Sequence, residues 1–195
     1  MEIRVQSLWG KDIIEYKNEL AQLRLKVFRD YPYLYDGTIE YEEEYLETLI
    51  ESPQSILAVA FDHDRVVGAS TGMPLKYETD EIKQPWLKEV IDIEKVFYFS
   101  ESVLLKEYRG LGIGVKFFEE REKWARQLDY KLATFCGVIR AKEDPNKPEN
   151  YVTLDRFWKN RGYQKKVGVI CTLTWKQIDE SQESAKNLQF WYKFL

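Results

Sequence analysis

The sequence has little of what several protein classes require. Its 195 residues include two cysteines, Cys136 and Cys171, each in an apolar run, so buried thiols are expected rather than a disulfide framework. The one histidine, His63, lies in a polar turn, which favours an exposed residue over an acid–base catalyst. No apolar run approaches the roughly 20 residues that cross a bilayer, and residues 1–5 lack a signal-peptide pattern. We therefore expect a cytoplasmic protein without membrane contact.

An excess of basic charge is also missing. The formal net charge is −4 and the sequence pI is about 5.3. No nucleic-acid partner is expected, because such binding needs clustered cations that neutralise phosphates. Hydrophobic residues make up 44% and charged residues 32% of the chain, which is typical of a folded globular protein. Since there is no repeat or long linker, residues 1–195 are predicted to form a single domain.

Hydrophobic periodicity predicts an α+β fold with a mixed sheet flanked by helices. The expected order is two helices, a hairpin, a strand, a long helix, a strand, a short helix and a strand. These elements are predicted near residues 11–28, 38–50, 56–69, 96–105, 112–128, 131–138, 151–160 and 167–175. The polar connection at 75–95 is predicted to be a lid or to carry a helix of its own. The apolar tail at 176–195 is expected to dock on the body or on a second subunit.

The most informative segment is a turn with three glycines, Gly110, Gly112 and Gly114, between a predicted strand and a predicted helix. Glycine allows backbone N–H groups to converge and a ligand to approach the main chain. The N-terminus of the helix adds unpaired donors and a partial positive charge, so the turn suits a pyrophosphate. Its spacing matches neither the P-loop nor the G-x-G-x-x-G dinucleotide fingerprint. A purely structural tight turn is the alternative.

The segment Arg109-x-x-Gly112-x-Gly114 resembles the R/Q-x-x-G-x-G/A signature of the GNAT superfamily of N-acyltransferases. The likeness extends to residues 104–110 and 157–163 and to the element order over residues 1–176. It implies α/β/α layers around a mostly antiparallel sheet that is splayed at an acyl-CoA site. It also implies acetyl-CoA, or another acyl-CoA, as co-substrate, and no metal is expected. The implied cofactor contacts are Val103, Leu104, Leu105, Arg109, Gly110, Leu111, Gly112, Ile113, Gly114 and Phe157.

Glu101 is the candidate general base, because an amine acceptor must lose a proton before it attacks a thioester. Alternation along the predicted strand places Glu101 among Phe97, Phe99 and Val103, where desolvation would raise its pKa. It also lies eight positions before Arg109, where the resemblance implies a glutamate proposed as the base. A salt-bridged structural glutamate is the alternative.

The general acid is where the sequence departs from the family. Many relatives have a tyrosine that protonates the leaving thiolate, and here the corresponding residue is Trp158. Tyr151, seven positions earlier on the predicted helix, is the candidate acid. The alternatives are that Tyr151 belongs to the core, or that the reaction needs no dedicated acid. Cys136 is disfavoured as a nucleophile because no histidine lies nearby in sequence.

Tyr31, Tyr33 and Tyr35 are candidate acceptor-binding residues, since the resemblance places the loop between the first two helices at the acceptor site. They could form an aromatic wall for an apolar or cationic group, or they could simply pack. We predict an N-acyltransferase that moves an acetyl or similar acyl group from acyl-CoA to a small-molecule primary amine by direct attack. A catalytically degenerate acyl-CoA-binding module and a protein lysine or N-terminal acetyltransferase are the alternatives. A homodimer formed through the apolar tail is a further hypothesis.

Overall fold

One mixed sheet of eight strands carries the fold, and the computed structural model describes residues 2–195. The strands are β1 (Ile3–Trp9), β2 (Ile56–Asp62), β3 (Arg65–Pro74), β4 (Val96–Tyr98), β5 (Ser102–Leu104), β6 (Leu132–Val138), β7 (Gln164–Trp175) and β8 (Ser184–Phe194). The helices are α1 (Lys17–Phe28), α2 (Ile39–Glu51), α3 (Asp80–Leu87), α4 (Ile113–Gln127) and α5 (Asp155–Asn160). The sheet order is β1-β2-β3-β4-β6-β8-β7, and β5 also pairs with β3. Every pair is antiparallel except β4 with β6.

Helices cover both faces of the middle of the sheet. Residues 56–61 of β2 and 67–74 of β3 are all buried, although successive side chains of a strand point to opposite faces. Leu20 of α1, Leu46 of α2 and Phe117 of α4 join these strands in one hydrophobic cluster. The predicted α+β class, with a mixed and mostly antiparallel sheet flanked by helices, is therefore confirmed. Within residues 2–195, no helix is long and apolar enough to cross a membrane.

The predicted hairpin forms as β2 and β3, and its turn contains His63. The histidine backbone is left-handed, with φ of 51°, and its side chain is 69% exposed. The prediction that His63 is an exposed turn residue is therefore confirmed. The sequence prediction did not include β1, which pairs with β2 at the edge of the sheet.

The C-terminal segment is not a tail docked on the body, as predicted, but a strand inside the sheet. Strand β8 lies between β6 and β7, pairing with β6 from Leu188 to Phe194 and with β7 from Ser184 to Tyr192. Phe190 is 0% and Trp191 is 1% exposed, because the neighbouring side chains of β8 enter two different hydrophobic clusters. Two of the residues that gave the segment its apolar character are therefore part of the protein's own core, whereas Phe194 is 68% exposed.

The polar connection at 75–95 carries helix α3, one of the two predicted possibilities. Ile82 is 4% and Trp86 is 0% exposed, and the Trp86 ring meets Phe190 edge to face at 5.6 Å. The helix therefore forms a packed layer over the β7–β8 part of the sheet. This packing gives no support to the idea of a lid over an acceptor pocket.

Candidate functional site

The predicted single strand at 96–105 is split in two where the sheet opens. Strand β4 pairs with β3 and with β6, whereas β5 pairs with β3 alone. Strand β6 continues beyond Thr134 to Val138, paired there only with β8. The edges of β5 and of residues 135–138 therefore diverge, as the expected splay requires, and both offer backbone hydrogen-bonding groups to a ligand.

A β-bulge at residues 99–101 causes the split. Ser70 pairs with Ser102, but Met73 pairs with Tyr98, so three steps along β3 correspond to four steps along β4 and β5. One extra residue in one strand bends that strand and increases its twist. The bulge thus turns β5 away from β6.

Of the three residues predicted to present backbone groups to the cofactor, the register turns only Leu104 toward the cleft. The Leu105 N–H donates to the Val67 carbonyl at 3.0 Å, and Val103 pairs with Ala69. Backbone groups of an antiparallel strand alternate in direction, so those of Leu104 face away from β3. Its carbonyl indeed accepts a hydrogen bond from Arg109 Nε at 3.3 Å.

The glycine turn lies between β5 and α4 and is exposed. Gly110 and Gly112 have φ of +82° and +80°, a conformation that favours glycine, and a Cβ at either position would meet no atom within 4 Å. Helix α4 begins at Ile113, and the first hydrogen bonds to the Gly112 carbonyl come from the N–H groups of Val115 and Lys116. The N–H groups that precede them are therefore available to a ligand, and the turn fits a pyrophosphate.

Three side chains fix the position of this turn. Ile113 is 1% exposed and anchors the start of α4 in the core. Arg109 is half exposed and lies 3.6 Å from Asp30, just after α1. At Gly114 a Cβ would lie 3.3 Å from the Phe157 ring, so the helix start packs closely on α5. Phe157 thus supports the turn from behind, while Leu111 at its tip is 51% exposed.

Glu101 lies in the bulge and is 8% exposed. Arg24 of α1, itself 8% exposed, makes close ion pairs with Glu101 and with the fully buried Glu42 of α2. Burial alone would lower the pKa of Arg24, but Glu101, Tyr45 and Glu42 raise it above its ordinary value. The remaining oxygen of each carboxylate, Oε1, has no hydrogen-bond partner among the described residues. In Glu101, Oε2 therefore forms the salt bridge, and Oε1 is free to accept a proton or a hydrogen bond.

A second buried carboxylate, Glu78, lies close to Glu101, and the sequence analysis did not identify it. It is 3% exposed and precedes α3; the Ser100 hydroxyl donates to its Oε1 at 3.1 Å and the Thr79 N–H to its Oε2 at 3.2 Å. Burial, together with the charge of Glu101, raises the pKa of Glu78 to about 7, although these two hydrogen bonds and the charge of Arg24 act in the opposite direction. Both glutamates line a cavity of about 10 Å³, which has room for about one water molecule.

Arg121 of α4 holds the bulge from the other side. It is 2% exposed, and its Nη1 donates to the carbonyls of Thr71 and Glu101, each at 3.2 Å. Its guanidinium also lies 4.3 Å from the centre of the Phe99 ring. Burial lowers the pKa of Arg121 to about 10. Arg121 therefore positions the backbone of Glu101 and is a functional candidate that sequence reasoning missed.

The predicted acceptor loop and the predicted acid lie side by side. The rings of Tyr31 and Tyr151 meet edge to face, with centroids 4.6 Å apart. Arg140 fixes the loop by donating to the carbonyls of Pro32 at 2.6 Å and Tyr33 at 3.1 Å. Burial raises the pKa of Tyr33 well above its ordinary value, and Cys136 raises it further. The rest of the loop, at Tyr35, forms a β-bridge with Gln177 at the end of β7.

The spacing argument for Tyr151 was wrong, because α5 begins at Asp155 and Tyr151 lies before it. Tyr151 and Trp158 therefore do not share a helical face. The Trp158 ring packs against β6, where a Cβ at Gly137 would lie 2.9 Å from it, and meets Phe135 edge to face at 5.0 Å. Burial raises the pKa of Tyr151 above its ordinary value.

Several solved structures resemble this chain over its whole length. An N-acetyltransferase from Staphylococcus aureus Mu50 superposes with a TM-score of 0.61 at 14% identity, covering 98% of both chains. A ribosomal-protein-alanine N-acetyltransferase from Brucella melitensis gives 0.60 at 14%, covering 100% of both. A GNAT-family acetyltransferase from Streptococcus pneumoniae gives 0.60 at 13%, covering 100% of this chain and 99% of that one. Neither a protein-family model nor a curated protein matches the chain. The fold of this protein is that of the GNAT acetyltransferases.

Proposed function

We propose that this protein transfers an acetyl or related acyl group from acyl-CoA to the primary amine of a small molecule by direct attack. The main support is that the glycine turn adjoins the open edge of β5, where Arg109 Nε contacts the Leu104 carbonyl at 3.3 Å. A pyrophosphate on the turn and an extended arm along β5 would suit these groups, and the thioester would supply the acyl group. Both features come from the same stretch of chain, residues 102–114.

Glu101 is our candidate for the base in this reaction. An alkylamine with a pKa near 10.4 is protonated at pH 7, and removing its proton costs roughly 4.6 kcal/mol, at about 1.36 kcal/mol per pKa unit. The free Oε1 of Glu101 could accept that proton, while Arg24 holds the other oxygen in place. Glu101 lies in the bulge that opens the cleft, which supports the assignment.

A small acceptor is favoured by the fixed wall on the Tyr31 side. The loop at 31–36 is tied to the β7–β8 connection, since the Asp36 N–H donates to the Lys176 carbonyl at 2.9 Å and the Ile178 N–H to the Leu34 carbonyl at 2.8 Å. A wall fixed in this way suits a bounded pocket better than an open groove for a polypeptide.

Calorimetric titration with acetyl-CoA tests the cofactor, with a matched pair of glycine variants. Gly112→Trp should abolish binding by filling the turn. Gly168→Trp is the control, because Gly168 in edge strand β7 also has a positive φ, +83°, and a Cβ there would likewise meet no atom within 4 Å. Loss of binding in both variants, or no binding by the folded wild type, would contradict the proposal.

A catalytically degenerate acyl-CoA-binding module is the second candidate, and Trp158 in place of a tyrosine favours it. Screening amines by thiol release separates the two. In an enzyme, Glu101→Gln should abolish thiol release and leave acetyl-CoA binding intact. Binding without release for any amine would favour the module, and release only with peptides would assign a protein acceptor instead.

A further inference from the structure

Glu78 and Glu101 line the same small cavity, and Glu78 would have no role in the reaction if Glu101 acted alone. The two carboxylates come from distant segments: Glu78 from the residues before α3, and Glu101 from the bulge. Both line the cavity of about 10 Å³, together with Ser100, Thr71 and Tyr45. The Thr71 hydroxyl and Glu101 Oε1 are buried and have no partner within residues 2–195. A water molecule there would satisfy both atoms, because a buried water commonly makes about three hydrogen bonds.

We propose that Glu101, one water molecule in this cavity and Glu78 form a proton relay, with Glu78 as the residue that stores the proton. This inference rests on the proposed acyl transfer and deepens it. The acceptor ammonium would give one proton to Glu101 Oε1. A proton would then pass through the water to Glu78, so Glu101 is again an anion beside Arg24 and Glu78 is a neutral acid.

The chemistry balances without any further reactant. The neutral amine forms a C–N bond to the acyl carbon, and the C–S bond of the thioester breaks. The second proton of the nitrogen goes to the thiolate, which leaves as the free thiol. The proton on Glu78 returns through the water and Glu101 to solvent after the products leave. The sum is one ammonium and one thioester converted to one amide, one thiol and one proton.

Charge around the pair supports a single stored proton. Three buried carboxylates, Glu42, Glu78 and Glu101, are accompanied by two buried cations: Arg24 pairs directly with Glu42 and Glu101, and Arg121 donates to the Glu101 carbonyl. Glu78 has hydrogen-bond donors from Ser100 and Thr79 but no ion pair within residues 2–195. Burial raises the pKa of Glu78 to about 7, near the value at which a group both accepts and releases a proton. The other titratable groups that act on Glu78, or on which it acts, are Arg24, Tyr45, Tyr98, Glu101 and Cys171.

The test combines NMR of carboxyl carbons with pH–rate profiles on the full chain. In the wild type, one glutamate signal should titrate near pH 7, and it should disappear in Glu78→Gln. In Glu101→Gln the same signal should titrate at lower pH, because a negative charge that opposes ionisation of Glu78 has been removed. Titration of Glu78 near the ordinary glutamate value, or no change in Glu101→Gln, would overturn the pairing.

Kinetics then test the role of the pair with any amine that the wild type acylates. The wild-type kcat should rise as the pH increases through about 7. In Glu78→Gln this rise should be absent, and above pH 7 the kcat should be roughly 100-fold lower than that of the wild type, with an unchanged KM for acetyl-CoA. Glu81→Gln, at an exposed glutamate of α3, is the control and should retain the wild-type profile. A Glu78→Gln profile that matches the wild type would overturn the relay. Absence of acyl transfer in the wild type would refute the proposed function and the relay with it, whereas the NMR result would still show whether the two carboxylates are coupled.

Discussion

Replacing Glu78 by glutamine should make the protein more stable at alkaline pH. Burial raises the pKa of Glu78 from 4.5 to about 7 on folding. Between these two values the folded state binds more protons than the unfolded state, so stability must fall as the pH rises from about 4.5 to about 7. Above that range Glu78 is ionised in the folded state, and the loss of stability through this group is complete. The side chain of Glu78→Gln is a neutral amide, so the stability of this variant does not depend on pH through position 78.

The magnitude follows from the size of the shift. With both pKa values in the linkage relation, the wild type loses about 2.5 kcal/mol between about pH 5 and about pH 8 through this group. For a chain of this length, 1 kcal/mol corresponds to roughly 2–4 °C in Tm. The Tm of Glu78→Gln minus that of the wild type should therefore be roughly 5–10 °C larger at the higher pH.

Thermal unfolding by circular dichroism at both pH values measures this difference. Glu81→Gln is the control, because Glu81 belongs to the same connection but is exposed, and its Tm difference from the wild type should not change with pH. A Tm difference for Glu78→Gln that is equal at both pH values would show that Glu78 does not titrate in this window. The electrostatic reasoning about the cavity would then be wrong.

Three other changes test the site and the sheet. Arg121→Met should lower acetyl-CoA affinity and destabilise the fold by roughly 1–3 kcal/mol, because two buried carbonyls of the bulge lose a donor; unchanged calorimetric titration and unfolding curves would contradict this. Tyr151→Phe should lower kcat without changing KM if Tyr151 protonates the thiolate, since its raised pKa keeps the hydroxyl protonated at neutral pH, and an unchanged kcat would remove it as the acid. Deleting residues 188–195 should abolish cooperative unfolding, because it removes most of a strand paired on both sides; a folded truncated protein would show that β8 is dispensable.

The parts of the fold that sequence predicted well are those with simple local patterns. The hairpin at β2 and β3, the helix after Gly112 and strand β6 each have one clear periodicity or turn signal. Strand β8 was misassigned because Phe190 and Trp191 are adjacent and point to opposite faces, both of which are covered. A strand buried on both faces loses the alternation that identifies strands.

The site was predictable only as far as it is local in sequence. The glycine turn and Glu101 lie within one short segment, so motif and spacing were sufficient to select them. Glu78 and Arg121 could not be found in this way, because their roles depend on the bulge at Ser100 and Glu101, which only the folded sheet creates. Tyr151 was related to Trp158 by helical spacing, but the helix begins four residues after Tyr151.

The shortness of β4 also limits how the two halves of the protein can move. Within residues 2–195, the three parallel pairs from Val96–Leu132 to Tyr98–Thr134, extended by the Phe99 N–H to the Thr134 carbonyl at 2.8 Å, are the only strand pairing between the β1–β5 half and the β6–β8 half. The cleft between β5 and β6 therefore opens from a narrow joint, and any change in its width concentrates mechanical strain on three residue pairs. Slow hydrogen exchange at these amides would mark a stiff joint and a cleft of fixed width. Fast hydrogen exchange that is suppressed by a bound ligand would show that the two halves move relative to each other and that the cleft closes on the ligand.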